Sequence, residues 1–418
     1  MSQATCILLA LVTGLVAGIL LAAFAPASVD GTVAIAKPIG TAWLNALQMT
    51  IVPLVTSLLI TGVAATAEAA QAGRLAGRAI GLYVGLLFLS ACAAAVLTPL
   101  FLQIVPLPRE SAAALRAAMV GAGTVGAIPP LGDFLAAVVP SNVVKAAADN
   151  AFLSLIIFSL VFAFAMTRVA KASRDLLTAF FTAVRDTMLV VIDWILWIGP
   201  VGVFALALIV GARAGTGAFG ALIHYILTVS AVGGVVALCA YPLAVLGGRV
   251  GLGAYARAVL PSQAVAVSTQ SSLASLPAMV EGTQELGVPV ATSGVTLPLA
   301  VAIFRATGPA MNFAVAIYIA IWFEIPLTLG TVAVGTIVAT LTSLGSVSLP
   351  GTVSYVSAIA PVASALGAQV APLGLLVAVE TIPDIMRTLG NVMMDVATTV
   401  TLSRRNGDRV EPVNPSNP

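Results

Sequence analysis

The chain has 418 residues, of which 60% are hydrophobic and 8% charged, with a formal net charge of +2 and a mean hydropathy of +1.10. A water-soluble protein of this length carries roughly 25% charged residues, so the polar side chains here cannot form a water-facing shell and the outer surface must face lipid. The small net charge excludes a nucleic-acid partner. Cys6, Cys92, Cys239 and the single histidine, His224, have no disulfide or metal-ligand spacing, so no cofactor is expected.

Apolar runs long enough to cross a bilayer occur near 5–26, 43–66, 79–105, 150–167, 187–212 and 217–247. The first ends in AAFAPA, which faintly resembles a cleavage site. No Lys or Arg precedes it and its length is that of a span, so it reads as a retained transmembrane helix. Between the third and fourth runs a wetter stretch, with Pro106, Pro108, Arg109, Glu110, Arg116 and GAGTVGAIPPLGD, reads as an external loop and a short or broken helix. Arg74 and Arg78, then Arg168, Lys171 and Arg174, then Arg404, Arg405 and Arg409 form basic clusters that fit a cytoplasmic side if both termini are cytoplasmic. The tail 406–418 is polar and proline-rich, and is expected to be a disordered cytoplasmic segment.

The texture changes after residue 250. SSLASLP (271–277) and SLGSVSLP (343–350) are serine-rich, proline-interrupted and about 73 residues apart, which suggests a weak internal repeat. Non-helical backbone at membrane depth is tolerated only where protein or a wet cavity surrounds it. Paired interrupted segments therefore point to a transporter's binding site, although each alone could be a packing interface. Between them lies TLPLAVAIFRATGPAMNFAVAIY (296–318). Pro309 lacks an N–H, so the Arg305 carbonyl is expected to lose its helical partner, leaving either a cation-binding oxygen or a plain kink.

The stretch ETIPDIMRTLGNVMMD (380–395) is the densest cluster of charge in an apolar context. Glu380, Asp384, Arg387, Asn391 and Asp395 are separated by four, three, four and four residues, which keeps them on one helical stripe. Charged side chains facing lipid cost roughly 2.5–3.5 kcal/mol each, about 10 kcal/mol for the four here. They must face the interior or a cavity, and the negative excess demands a cation, with Arg305 the internal candidate. A guanidinium fork beside a carboxylate suits an amino-acid or dicarboxylate ligand. The same spacing also suits an internal Asp384–Arg387 ion pair.

DIMRTLGNVMMD resembles the last transmembrane helix of the dicarboxylate/amino acid:cation symporters, the glutamate transporter family, whose pattern is D-x-x-R-T-x-x-N-x-x-x-D. Asp384, Arg387, Thr388, Asn391 and Asp395 meet every polar position. MTIVPLVTSLLITGVAA, VVPSNVVKAAADNAFLSLIIFSLVFAFAM and IGPVGVFALA resemble the second, fourth and fifth helices of that family. QSSLASLP and SLGSVSLPG resemble the tips of its two re-entrant hairpins, and TLPLA the opening of its seventh helix.

The resemblance implies an all-α polytopic membrane protein with eight transmembrane helices plus two re-entrant helical hairpins. Residues 1–250 would be mostly scaffold and trimerisation part, with helices 3 and 6 moving with the transport part, and 251–405 the transport core. It implies a homotrimer in the inner (plasma) membrane that carries acidic amino acids or C4-dicarboxylates with Na+ and/or H+ by an elevator-like motion. Asp384 would accept a substrate amino group and Arg387 a side-chain carboxylate. Thr388, Asn391, Ser271 and Ser272 would contact the substrate. Asp395 would ligate sodium with oxygens near Ala300, Phe304 and Asn391, and a second sodium would sit around Ser343 and Ser346.

The family's N-M-D-G-T is replaced by Phe304-Arg305-Ala306-Thr307-Gly308, so a carboxylate is lost at Ala306 and a substrate-contacting threonine at Gly308. A third-helix threonine falls at Leu89, beside Ser90, and a hairpin glycine at Val353. Arg305 is expected to neutralise Asp395 or Glu380 in the space of a sodium ion, leaving coupling to fewer sodium ions or to protons, through Glu380. An anion-conducting or repurposed relative is the alternative. An enzyme is not expected, since no nucleophile–base pair or metal cluster is present.

Overall fold

A computed structural model of the chain describes residues 3–71, 74–107, 139–149, 151–215, 217–345 and 351–406. The wet stretch after Leu107, the tip of the second serine-rich segment with Ser346, the Val353 side chain and the tail after Asn406 lie outside the described residues. The described residues are helical, without strands.

The first half holds α1 (Gln3–Phe24), α2 (Val29–Gln48), α3 (Ile51–Gln71), α4 (Arg74–Ile104), α5 (Val143–Ala148), α6 (Phe152–Met166), α7 (Lys171–Trp197), α8 (Gly199–Ala214) and α9 (Gly217–Leu238). The second half holds α10 (Leu252–Thr269), α11 (Leu276–Glu285), α12 (Val290–Ile303), α13 (Thr307–Trp322), α14 (Leu329–Gly345), α15 (Gly351–Ala365) and α16 (Thr381–Asn406).

Among the described residues, five stretches are long and apolar enough to cross a bilayer: Thr5–Phe24, Pro26–Ala65, Arg74–Ile104, Phe219–Gly247 and Val290–Trp322. The run expected near 43–66 is thus part of a longer helical stretch. The run expected at 187–212 is not one helix, because α7 and α8 meet at Ile198 with a 56° bend. Its cause is local: Gly199-Pro200 opens α8, and proline is accommodated in a first turn, where its missing N–H costs nothing.

α1 lies on α8 with backbones in contact. A Cβ added at Gly18 would fall 2.2 Å from the Leu208 carbonyl oxygen, and one at Gly211 would fall 2.3 Å from that of Leu15. Small residues four apart (Gly14, Gly18) permit this approach, which gains dispersion where lipid supplies no hydrophobic drive. His224 joins α9 to the end of α4: its Nε2 lies 2.7 Å from the Val105 carbonyl oxygen, and so carries a proton, while Nδ1 lies 3.0 Å from the Tyr318 hydroxyl.

Two apolar cores organise the rest. One joins Tyr83 and Leu87 of α4, Ala237 of α9, Tyr255 of α10, Met279 of α11, Leu297 of α12 and Val396 of α16. The other joins α1, α3, α7, α8, α9, α13 and α15. α13 is almost wholly buried, as a central helix hydrophobic on every side must be. The serine-rich segments form two helix pairs, α10 with α11 and α14 with α15, whose members pack together. Arg78 near the start of α4 and Arg405 near the end of α16 line one cavity of about 530 Å³, so two of the basic clusters share one end of the molecule.

Candidate functional site

α16 and the break between α12 and α13 converge in the interior. Glu380 and Asp395 are completely buried, and Asp384, Arg387, Thr388 and Asn391 nearly so. Glu380 immediately precedes α16, but its carbonyl accepts the Asp384 N–H at 2.8 Å, which extends the helical stripe across it. Arg387 Nη1 donates to Glu380 Oε1 and to Asp384 Oδ1, the latter at 2.9 Å. The ion pair expected from spacing therefore has a second carboxylate, two turns back. The Arg387 Nε and Nη2 protons and the Asn391 Nδ2 protons are buried with no hydrogen-bond partner. At this point of the stripe the unengaged groups are donors.

Glu380 also meets two tyrosines. Tyr225 of α9 lies 2.7 Å from the Tyr355 hydroxyl of α15 and donates toward Glu380 Oε2 at 3.5 Å, the outer limit of a hydrogen bond. Neither tyrosine carried a sequence signal, because the contacts span 130 and 155 residues.

The break covers Phe304 to Ala306, and the carbonyls of Arg305 and Ala306 each accept a hydrogen bond. The chain restarts as α13 at Thr307 with Pro309 in the first turn, and the Arg305 carbonyl accepts the Gly308 N–H at 2.8 Å. This corrects the expectation of an orphaned Arg305 oxygen: proline removes no bond in a first turn. The Ala306 carbonyl accepts the Ser90 hydroxyl. Leu89 is 61% exposed whereas Ser90 is buried, so the inward position of α4 is Ser90 and not Leu89. The Phe304 ring stacks on Tyr83 with centroids 4.6 Å apart.

Thr307, unmarked in the sequence reading, latches α13 to α16. Its N–H donates to Asn391 Oδ1 at 3.0 Å, and its hydroxyl lies 2.7 Å from both that oxygen and the Arg387 carbonyl, serving one at a time with its single proton. Gly390 allows the latch, since a Cβ there would fall 2.4 Å from Thr307 Cγ2.

Around Asp395 both carboxylate oxygens lack a hydrogen-bond partner. The Tyr83 and Tyr255 hydroxyls donate to the carbonyls of Thr296 (3.0 Å) and Met393 (2.6 Å). Arg305 sits half-buried in the break between α12 and α13. Of the two partners expected for Arg305, Glu380 pairs with Arg387, and the Asp395 oxygens accept no hydrogen bond.

The Ala300 carbonyl accepts the Phe304 N–H at 2.7 Å. The Ser343 hydroxyl donates to Ala339 at 2.8 Å, within van der Waals reach of a side chain at Gly308. Ser271 and Ser272 lie in the turn between α10 and α11, where Ser271 Oγ accepts the Ala274 N–H at 3.2 Å. Both helices of that pair pack on α16.

The chain is 26% identical over 378 residues to the proton/glutamate-aspartate symporter of Escherichia coli (strain K12), covering 85% of this chain and 82% of the relative. It is 25% identical over 400 residues to a C4-dicarboxylate transport protein of Leptothrix cholodnii (95% and 88% covered). It is 27% identical over 402 residues to the human neutral amino acid transporter A (84% and 72% covered). The family described as "Sodium:dicarboxylate symporter family" matches residues 4–405. With these helices, this buried charged stripe and a match over nearly its whole length, the chain belongs to the sodium:dicarboxylate symporter family, a family of membrane transporters and not of enzymes.

Proposed function

We propose that this protein is a secondary active symporter of C4-dicarboxylates, with acidic amino acids as the second substrate class, driven by H+ and/or Na+. The observation that carries the substrate class is the donor set at Arg387. Nη1 is taken by Glu380 and Asp384, while Nε, Nη2 and the Asn391 amide remain open. Buried open donors favour carboxylate. Asp384, the acceptor an ammonium would need, is already held by Arg387, which favours a dianion over a zwitterion.

The fold supports the remaining features of the reading. The α10–α11 and α14–α15 pairs act as re-entrant hairpins over the site. α4 and the end of α9 share a core with α10, α11, α12 and α16, which supports their moving as one transport body within a trimeric scaffold. Arg78 and Arg405 at one end support cytoplasmic termini in the plasma membrane.

The test is uptake into proteoliposomes of succinate, fumarate, aspartate, glutamate and alanine, with and without sodium and pH gradients. Gradient-driven, saturable accumulation of succinate is expected, and Arg387→Gln is expected to abolish the preference for dianions over alanine. Retained preference in that variant would overturn the assignment of Arg387.

A further inference from the structure

The groove between α4 and α16 is separate from the charged stripe. α4 turns Ala79, Ile80, Tyr83 and Leu87 into the core that it shares with Val400 and Leu402 of α16. A second face of α4 carries Arg78, Gly81, Gly85 and Leu89, three, four and four residues apart, and all four are exposed. This face and the end of α16 line the cavity of about 530 Å³, a volume in the range of bound small molecules.

The cavity has a charged end and an apolar slot. Arg78 lies one turn inside the start of the span Arg74–Ile104, and Arg405 lies in the last turn of α16. Each guanidinium offers five N–H donors in a geometry suited to phosphate. Among the described residues, no acidic side chain lines the cavity. Arg404 donates to the Gly248 carbonyl at 3.2 Å, so Arg405 is the member of that pair that lines the groove. Away from the arginines the lining is leucine and glycine. A Cβ added at Gly81 or Gly85 would meet no neighbouring atom within 4 Å, so no other part of the protein covers the floor of the slot. From Arg78 to Leu89 the stripe runs about 16 Å along the helix, about the depth of one leaflet of a bilayer whose hydrocarbon core is about 30 Å thick.

We propose that this groove binds one anionic phospholipid, with its phosphate between Arg78 and Arg405 and an acyl chain along Gly81, Gly85 and Leu89. Basic side chains between helices at the headgroup level attract anionic lipid. An inorganic anion would satisfy the arginines and leave the apolar slot open, whereas a phospholipid meets both. The lipid rests on the outer side of the helix whose inner side holds the Ala306 carbonyl through Ser90.

The experiment uses delipidated full-length protein in detergent, titrated with dioleoyl phosphatidylglycerol or dioleoyl phosphatidylethanolamine. Native mass spectrometry counts bound lipid and thermal unfolding reports stabilisation. One phosphatidylglycerol is expected to bind saturably, about 10-fold or more tightly than phosphatidylethanolamine. Inorganic phosphate at the same concentration is expected to leave the unfolding temperature unchanged. Arg78→Gln with Arg405→Gln should bring the two lipids within about 2-fold of each other. Arg168→Gln with Arg174→Gln, which removes the same charge around the start of α7, should keep the preference. Gly81→Leu with Gly85→Leu fills the slot. A Cβ has room at both positions and leucine is the better helix former, so this variant should fold as well as the native chain and bind phosphatidylglycerol about 10-fold more weakly.

Equal affinity of the native chain for the two lipids would overturn the proposal. So would a preference lost equally in the Arg168 and Arg174 variant, which would mean attraction by the whole surface. Phosphatidylglycerol binding unchanged in the glycine variant would remove the acyl chain from this slot. Stabilisation by phosphate as large as by phosphatidylglycerol would make this an anion site without a lipid, and a smaller oligomer in the glycine variant would make it a contact with a second copy of this chain. If the arginine variant does not fold, the glycine variant and the native comparison of lipids still decide.

Discussion

Gly390→Ala tests whether the site depends on the close approach of α13 to α16. The added Cβ would lie 2.4 Å from Thr307 Cγ2, 3.0 Å from Ala237 Cβ and 3.4 Å from Ala237 Cα. Ordinary carbon contacts begin near 3.5 Å, so the start of α13 must retreat by about 1 Å. A retreat of that size stretches the Thr307–Asn391 bond, now 3.0 Å, beyond hydrogen-bonding distance. Overpacking costs about 1–3 kcal/mol and a broken buried hydrogen bond about 1–3 kcal/mol, together about 2–5 kcal/mol. The assay is thermal unfolding of the purified protein beside succinate uptake in proteoliposomes. A lower unfolding temperature and an apparent KM raised about 10-fold are expected, since Arg387 and Asn391 flank the displaced turn. Adding Thr307→Ser removes the clashing methyl and keeps the hydroxyl, so it should restore most of both. An unperturbed Gly390→Ala protein, or a double variant no better than the single one, would refute the reasoning.

Tyr225→Phe removes the hydroxyl that joins Tyr355 to Glu380. A loss of about 1–3 kcal/mol in stability is expected, with the pH–uptake profile displaced if Glu380 takes part in proton coupling; a profile identical to that of the native protein would exclude that part. Ser90→Ala leaves the Ala306 carbonyl without its donor, and should lower thermal stability by about 1–3 kcal/mol and slow uptake without changing the order of substrates. Leu89→Ala, on the exposed side of the same turn, should do neither.

The stripe from Glu380 to Asp395 was legible in the sequence because period and chemistry coincide: five polar groups on one face of an otherwise apolar helix have few other uses. The break before Thr307 was legible in position but not in consequence. Pro309 was read as a residue inside a helix, where it orphans a carbonyl; it lies in a first turn, where it does not. The confusion of Leu89 with Ser90 has a geometric origin, since one residue along a helix is a rotation of about 100°, enough to exchange an exposed position for a buried one. The Gly199-Pro200 pair marks the bend between α7 and α8, yet hydropathy alone merges the two into one run. Thr307, Tyr225 and Tyr355 were invisible because their partners lie 84, 155 and 130 residues away in the chain, and no local pattern announces such a pairing.

The seating of α1 on α8 also restricts how these two helices can move. Gly18 sits in a notch against the Leu208 carbonyl and Gly211 against that of Leu15. A slip of one residue, about 1.5 Å along the axis, would bring a side chain with a Cβ into a gap that has no room for one. The pair is therefore locked in register, and any rearrangement of the molecule carries α1 and α8 together or leaves both in place.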